Sequence, residues 1–273
     1  MTDFSNYMLV TDLDGTLLPS NKIVSEKDLA AIEKFKQGGG LFTIATGRIY
    51  QAAEQLFDIL KPNAPVLLNN GGLIYDIEKK QELYSCYIDI AAVEYTLELM
   101  EQFPEIGVEI NTMDNIYVIR MSEWEQIHLG ITKLKYTEKT IDEVKNEKWC
   151  KVLYSIEGSR MHLLEEYVQK KGWNKANFTA SGEFLFECLP LNCSKGAALE
   201  KLVEIADLNS YVITSAGDYD NDLTMIQYAD IGFAPANAQD EVKKSSSYVT
   251  KATCEDGAIA EAIEYIEKVC KVK

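Results

Sequence analysis

Short apolar runs alternate with helical patterns at both ends of this chain, and this alternation restricts its fold more than any other feature. The runs 8–11, 41–45 and 66–68 each have the form of a strand that is buried on both faces. Helical patterns separate these runs, and the same texture returns after residue 190. Strand–helix–strand repetition of this kind predicts βαβ units and a doubly wound parallel sheet of the α/β class.

The middle of the chain has a different texture. Between residues 83 and 189 the predicted strands have mixed polarity, which is typical of a sheet that packs helices on one face only. We therefore predict that residues 1–82 and 190–273 form an α/β core and that residues 83–189 form an inserted α+β domain. The length of 273 residues agrees with this division, because single domains usually span about 100–200 residues.

Composition excludes several classes of function. The chain carries 27 basic and 43 acidic residues, a net charge of −16 at pH 7, and such a surface repels nucleic acid and anionic lipid. With two histidines, neither a zinc site nor a His-based triad is expected. The six cysteines form no C-x-x-C pair, and no apolar run approaches the ~18 residues of a membrane span. We expect a cytoplasmic protein with reduced thiols, without nucleic-acid or membrane partners, that is a monomer or a weak homodimer.

Two aspartates follow the first predicted strand, in the run DLDGT at residues 12–16. Open α/β sheets place their ligands at the carboxyl ends of strands. Asp12 and Asp14 would repel each other unless a cation lies between them or one of them keeps its proton. Mg²⁺ prefers oxygen ligands, and a protonated carboxyl can act as a general acid, so either arrangement is chemically useful. The alternative is a solvated, Asp-rich turn.

A second acidic run, GDYDND at residues 217–222, also follows a predicted buried strand and precedes a helix. Asp218 and Asp222 are candidate ligands of a divalent cation. Helix N-capping is the alternative for one or two of the three aspartates. We expect Asp220 to face solvent.

Two further runs suit an anion. Thr46, Gly47 and Arg48 link a predicted strand to a helix, and the free N–H groups at a helix N-terminus bind anions. Arg48 could instead form a surface salt bridge. Lys195 begins another predicted helix, where a cation is disfavoured by the helix dipole, and a solvated lysine is the alternative. The NNGG run at 69–72 has strong turn chemistry.

Together these runs resemble the motifs of the haloacid dehalogenase superfamily of phosphohydrolases. DLDGTLL resembles its first motif, Thr46 its second, Lys195 its third and GDYDND its fourth, in the same order and at similar spacing. The ATGR string, the NNGG turn and the sequence SKG around Lys195 resemble the Cof-type branch, which has a type IIB cap.

This resemblance implies a Rossmann-like core with an inserted cap at 83–189, and a Mg²⁺-dependent phosphatase. Its substrates would be small phosphorylated metabolites, above all sugar phosphates. Asp12 would form an aspartyl-phosphate, and Asp14 would act as acid and then as base. The implied metal ligands are Asp12, the backbone carbonyl of Asp14, and Asp218, with Asp222 in support. The implied substrate- and phosphate-binding residues are Thr46, Gly47, Arg48, Asn70, Lys195 and Asn221, of which Thr46 and Lys195 also count as catalytic.

Two other functions remain open from the sequence. A phosphosugar mutase of the same fold would return the phosphate to a sugar. A phosphoaccepting signalling domain shares clustered aspartates and a lysine, but it would need neither Asp14 nor the long insertion. Within the insertion, polar residues that we expect at the surface are candidates for contact with a sugar, although such residues usually only face solvent; they are Asn111, Asp114, Tyr117 and Glu183.

Overall fold

The structure is a computed structural model that describes residues 2–113 and 115–270. Two compact units are present. The first contains the described parts of 1–47, 55–85 and 194–273, and the second contains 48–54 and 86–193. Residues 48–54, which we predicted as part of the core, therefore cluster with the inserted unit. The role of that unit as a cap stays a prediction.

The described residues form strands and helices along the whole chain. In chain order, the strands are β1 (Tyr7–Thr11), β2 (Leu41–Ile44), β3 (Val66–Leu68), β4 (Leu73–Asp76), β5 (Gln81–Ser85), β6 (Gly107–Asn111), β7 (Ile116–Arg120), β8 (Thr137–Glu138), β9 (Lys151–Ser155), β10 (Asn177–Gly182), β11 (Leu185–Leu189), β12 (Val212–Ala216), β13 (Ile231–Ala234) and β14 (Tyr248–Val249). The α-helices are α1 (Glu26–Gln37), α2 (Tyr50–Leu60), α3 (Ala91–Gln102), α4 (Glu123–Thr132), α5 (Ile141–Val144), α6 (Met161–Lys171), α7 (Lys195–Ile205), α8 (Leu223–Tyr228), α9 (Asp240–Ser245) and α10 (Ala258–Cys270). Short 3-10 turns lie at Asn69–Gly71, Gly158–Arg160 and Asp220–Asp222.

The first unit is built on a parallel sheet with the strand order β14-β13-β12-β1-β2. Every residue of β1 is buried, as its apolar sequence predicts. β3 differs from the prediction: within the part of the chain that the structure describes, it pairs with this sheet at a single isolated bridge between Ala45 and Leu67. Its main partner is β4, in an antiparallel sheet that continues to β5. The tight turn at Asn69–Gly71 reverses the chain and gives β3 this neighbour.

Serine caps fix where two helices of this unit begin. Ser25 Oγ accepts a hydrogen bond from Asp28 N at 3.0 Å and caps the start of α1. Ser194 Oγ accepts one from Ala197 N at 3.1 Å and starts α7. Lys195 is therefore the first residue of α7, at the helix end that disfavours a cation.

The second unit is a sheet with the order β10-β11-β9-β6-β7-β8, antiparallel except for the pair β7–β8. The apolar face of this sheet packs against α3 and α6, with Tyr154 and Phe186 among its buried side chains. Glu109 lies between Val108 and Ile110 of that core, and alternation along β6 turns its carboxylate to the other face. α4 contacts β6 and β9. Among the described residues, no helix combines the length and the apolar character needed to cross a bilayer.

Candidate active site

Three carboxylates that are far apart in the sequence lie together where β1 and β12 end. Asp12 directly follows β1, and Asp218 and Asp222 follow β12, which is its parallel neighbour in the sheet. One oxygen of each carboxylate lies within 4.8 Å of the others. Asp12 is 5% exposed and Asp222 is fully buried. The structure thus brings the first and fourth predicted motifs to one place.

Lys195 lies within this carboxylate cluster. Its Nζ is 2.6 Å from Asp12 Oδ1 and 2.6 Å from Asp222 Oδ1, and the side chain is 1% exposed. Burial lowers the pKa of Lys195, but the two carboxylates outweigh burial and raise it above the usual value. The lysine is therefore a buried cation, and these two ion pairs explain how it is tolerated at the N-terminus of a helix.

One ammonium does not balance three carboxylates. Burial raises the pKa of Asp218 to about 6, a shift that Thr16 reduces and the charge of Asp222 increases. Burial also raises the pKa of Asp12, although Lys195 offsets part of that effect. The cluster therefore suits a further cation, and a donor set made only of carboxylate oxygens fits a hard ion such as Mg²⁺.

Gly15 and Thr16 support Asp218 from the first motif. Thr16 Oγ1 donates a hydrogen bond to Asp218 Oδ1 at 2.6 Å. Gly15 has φ +88°, and a Cβ at this position would lie 2.5 Å from Asp218 Oδ2. Only glycine allows the backbone to turn here and lie so close to the carboxylate.

Asp14 is not one of the three described carboxylates that lie within 4.8 Å of one another, although its charge adds to the rise that burial causes in the pKa of Asp218. Asp14 Oδ1 is 2.7 Å from Lys22 Nζ, and both side chains are exposed. Lys22 was not predicted as a site residue. It lies eight residues beyond Asp14, and a lysine at that spacing in a loop belongs to no characteristic sequence pattern.

Several predicted phosphate-binding residues meet beside this cluster. Asn221 Nδ2 donates a hydrogen bond to Asn70 Oδ1 at 3.0 Å, and Asn70 N donates to Thr46 O at 3.0 Å. A Cβ on Gly47 would lie 3.0 Å from Asn70 Oδ1. The ends of β2, β3 and β12 therefore bring Thr46, Gly47, Asn70 and Asn221 together.

Arg48 belongs to the second compact unit. Its Nη1 donates a hydrogen bond to Ala52 O at 3.3 Å, within the first turn of α2. Its role in phosphate binding stays a prediction.

The expectation that the sugar-contact candidates lie at the surface is wrong for two of them. Asn111 is 1% exposed and Tyr117 is 9% exposed. Asn111 Nδ2 donates to Glu109 Oε1 at 2.7 Å, so the buried amide is hydrogen-bonded within the protein. Glu183 is exposed, and Asp114 lies outside the described residues.

Asn237 is a second residue that the sequence analysis missed. Its Nδ2 donates to Gly15 O at 2.7 Å. The residue follows β13, so its place beyond a strand end of the parallel sheet was the available indication. It was missed because a hydrogen bond to a backbone carbonyl leaves no pattern in the sequence.

Residues 9–263 match the sequence model of the haloacid dehalogenase-like hydrolases. The chain belongs to this family. This membership confirms the resemblance read from the sequence and the expectation of a hydrolase.

Curated relatives of this haloacid dehalogenase-like hydrolase are named as phosphatases. 5-Amino-6-(5-phospho-D-ribitylamino)uracil phosphatase YwtE of Bacillus subtilis is 28% identical over 276 residues, covering 91% of this chain and 94% of the relative. The putative phosphatase YxeH of the same organism is 27% identical over 265 residues, covering 94% and 96%. These names confirm the expected enzyme class, a phosphatase.

Solved structures confirm the fold class. A haloacid dehalogenase-like hydrolase from Bacteroides thetaiotaomicron superposes with a TM-score of 0.84 at 25% identity, covering 95% of this chain and 99% of that one. The subclass IIB sugar phosphatase BT4131 superposes with a TM-score of 0.81, covering 95% and 98%. The latter is 19% identical, so its likeness concerns the fold.

Proposed function

We propose that this protein is a Mg²⁺-dependent phosphohydrolase that removes phosphate from small phosphorylated metabolites through an aspartyl-phosphate on Asp12. The observation that carries the proposal is the cluster of Asp12, Asp218 and Asp222 with the buried ammonium of Lys195. Membership of the hydrolase family and the phosphatase names of its relatives support the same class of reaction.

The ion would be held by the carboxylates of Asp12 and Asp218 and by the backbone carbonyl of Asp14, with Asp222 in support. When bound, Mg²⁺ would neutralise charge on the phosphoryl oxygens, which is the main demand of phosphoryl transfer. Burial raises the pKa of Asp218, and the charge of Asp222 raises it further; a cation held by these carboxylates would offset both effects.

Asp12 and Asp14 would divide the covalent steps. A carboxylate oxygen of Asp12 attacks phosphorus in line, and the bond from phosphorus to the substrate's alcohol oxygen breaks. Asp14 gives its proton to the departing oxygen, so the alcohol leaves neutral. Asp14 then takes a proton from water as the water oxygen attacks the aspartyl-phosphate, which releases inorganic phosphate and restores the carboxylate of Asp12.

Asp14 must leave its ion pair with Lys22 to do this. Asp14 Oδ1 lies 2.7 Å from the ammonium of Lys22, whereas the first step needs a protonated carboxyl that faces the departing oxygen. A substrate that enters the site would have to exchange this contact for its own leaving-group oxygen.

Lys195 and a group of polar residues would bind the transferring phosphate. Lys195 supplies a buried positive charge at the nucleophile. Thr46, Asn70 and Asn221 are linked to one another by hydrogen bonds at neighbouring strand ends, and we place the phosphate oxygens beside them. Gly47, whose backbone lies close to Asn70, and Arg48 complete the proposed set.

Sugar phosphates are the proposed substrate class, and the inserted residues 83–189 are proposed to select among them. Three curated relatives, 24–28% identical, are named 5-amino-6-(5-phospho-D-ribitylamino)uracil phosphatases. That compound carries its phosphate on a ribityl chain, so we include it as a test substrate. A cytoplasmic location and a monomeric or weakly dimeric state remain predictions from the sequence.

The test is a Mg²⁺-dependent screen of phosphorylated sugars, nucleotides, cofactors and the ribitylaminouracil phosphate, run with Asp12→Asn and Asp220→Asn. Asp220 is the matched control, because it is exposed in the same loop as Asp218. We expect Asp12→Asn to remove nearly all activity and Asp220→Asn to keep it within about twofold. If Asp12→Asn keeps more than about a tenth of the kcat, a barrier change under about 1.4 kcal/mol, the nucleophile assignment is wrong. Formation of an isomeric phosphosugar in place of inorganic phosphate would identify a mutase.

A further inference from the structure

We infer that Asn237 is a positioning residue of the active site, which holds the Gly15–Thr16 peptide in place and thereby fixes the carboxylate of Asp218. The inference rests on the proposed function, because the loop that it concerns carries the proposed nucleophile.

Both ends of the Asn237 amide are bound to backbone, which fixes its orientation. Nδ2 donates to Gly15 O at 2.7 Å, and Oδ1 accepts from Cys254 N at 2.9 Å. One side chain therefore ties together three segments: the turn after β1, the segment after β13 and the loop after β14. Gly15 is 222 residues away from Asn237 in the sequence.

The hydrogen bond from Asn237 to Gly15 O affects Asp218, because the residues on both sides of the Gly15–Thr16 peptide contact the Asp218 carboxylate. The carbonyl held by Asn237 belongs to the peptide that joins Gly15 to Thr16. On one side, the Gly15 backbone lies so close to the carboxylate that a Cβ would be 2.5 Å from Asp218 Oδ2. On the other side, Thr16 Oγ1 donates to Asp218 Oδ1 at 2.6 Å. A rotation of this peptide would therefore displace both supports of the carboxylate.

The segment that carries Asn237 also holds the backbone of Asp218. Gln239 N donates to Asp218 O at 2.9 Å. Residues 237–239 thus contact Asp218 directly and Gly15 through the amide, so they set the distance between the first and the fourth motif. The loop after β14 is tied to the first-motif side a second time, because Ser20 N donates to Glu255 Oε1 at 2.8 Å.

The position of Asn237 indicates a role in geometry more than in stability. The side chain is exposed, and water replaces most of the free energy of an exposed hydrogen bond when it is lost. Removing the amide should therefore hardly change unfolding, whereas a small shift of Asp218 should change ion binding and the reaction rate.

Asn63 provides a matched control in the same unit. Its Nδ2 donates to Gly40 O at 3.0 Å and its Oδ1 accepts from Phe42 N at 2.7 Å, so it bridges two backbone groups as Asn237 does. Asn63 lies between α2 and β3, and the two groups that it binds lie at the start of β2, the opposite end of that strand from the cluster. A general effect of losing such a bridge would appear in both variants.

The experiment compares the full chain with Asn237→Ala, Asn237→Leu and Asn63→Ala. Leucine keeps the branched volume of the amide but can neither donate nor accept a hydrogen bond. Two quantities are measured: the rise in thermal midpoint on adding MgCl₂, which reports ion binding without turnover, and the kcat and KM for p-nitrophenyl phosphate.

We expect both Asn237 variants to lose about half or more of the Mg²⁺-induced rise in Tm. Their kcat should fall about tenfold with KM changed less than about threefold, while the Tm without Mg²⁺ changes by less than about 2 °C. Asn63→Ala should keep the full Mg²⁺-induced rise and the kcat, because Asn63 is exposed like Asn237 but has, among the described residues, no contact with the carboxylate cluster.

An unchanged Mg²⁺-induced rise and a kcat within about twofold in both Asn237 variants would overturn the inference. Equal losses in Asn63→Ala would also overturn it, because they would show a general structural effect. A wild-type protein that gains no stability from Mg²⁺ would overturn it as well. A wild-type protein that gains stability but hydrolyses nothing contradicts the proposed function alone, and the thermal shifts still decide the role of Asn237.

Discussion

Replacing Glu125 by glutamine should remove a pH dependence from the stability of the inserted unit. Glu125 lies on α4 and is fully buried, and its Oε2 accepts a hydrogen bond from Ser155 Oγ at 2.7 Å. Its Oε1 is buried without a donor among the described residues. Burial, and then the charge of Glu109 beside it, raise the pKa of Glu125 to about 8. A protonated Glu125 can donate to Glu109, so the folded unit holds a proton that the unfolded chain releases.

The magnitude follows from proton linkage. The pKa of Glu125 rises from 4.5 in the unfolded chain to about 8 in the folded unit. The folded state therefore binds more protons between these values, and its stability falls as the pH rises through that window. Between about pH 6 and about pH 8, this single group should cost about 2 kcal/mol of the free energy of unfolding. Burial lowers the pKa of the neighbouring His128, which reduces the positive charge that this imidazole can offer Glu109.

Urea unfolding at several pH values, followed by tryptophan fluorescence, measures this effect. The three tryptophans, Trp124, Trp149 and Trp173, all lie in the second unit, so the fluorescence reports on that unit. In Glu125→Gln the amide oxygen can accept from Ser155 and the amide nitrogen can donate to Glu109, as the protonated acid does. The variant should match the wild type near pH 6 and be more stable by about 2 kcal/mol near pH 8.

Glu187→Gln is the control for removal of a buried carboxylate. Glu187 forms an ion pair with Lys151 at 2.9 Å and is buried like Glu125. Loss of the Glu187 carboxylate should destabilise the second unit by about 3 kcal/mol at every pH between about 6 and 8. The pH dependence that comes from Glu125 should stay unchanged. If wild type and Glu125→Gln lose the same free energy of unfolding between the two pH values, the assignment of a shared proton is wrong.

Two further substitutions test the first unit. Lys195→Met removes the buried cation beside Asp12, so the Mg²⁺-free protein should lose about 3–5 kcal/mol of stability. The rise in Tm on adding Mg²⁺ should exceed that of the wild type. An equal or smaller rise contradicts this electrostatic account. Gly71→Ala places a Cβ 2.2 Å from Ser194 O at a residue with φ +95°. Urea unfolding should therefore show that the free energy of unfolding falls by about 2–4 kcal/mol. A fall below about 1 kcal/mol would mean that the start of α7 shifts at little cost.

Much of the fold could be predicted because its patterns are local. Continuous apolar runs identify β1 and β12 without knowledge of their partners, since strands of a parallel sheet are buried on both faces. Strand–helix alternation then predicts a doubly wound sheet, and such a sheet gathers the residues that follow its strands. Asp12 and Asp218 therefore come together as their places in the sequence suggest.

Other elements could not be predicted because their stability comes from distant partners. The buried side chains of α4 include Glu125 as well as Leu129, and a glutamate in a sequence does not indicate a buried position. β10 and β4 were not predicted, and β3 pairs mainly with β4 in place of the parallel sheet. The burial of Asn111 similarly depends on Glu109 accepting its amide.

The class of fold, the family resemblance and the acidic side chains at two strand ends could be read from the order of residues alone, because each rests on residues that are close along the chain. Only the tertiary structure placed Lys195 between two carboxylates, paired Asp14 with Lys22 and joined Asn237 to the carbonyl of Gly15. These contacts depend on distances between segments that are far apart in the chain and on backbone atoms that every residue has. No local sequence pattern therefore predicts them.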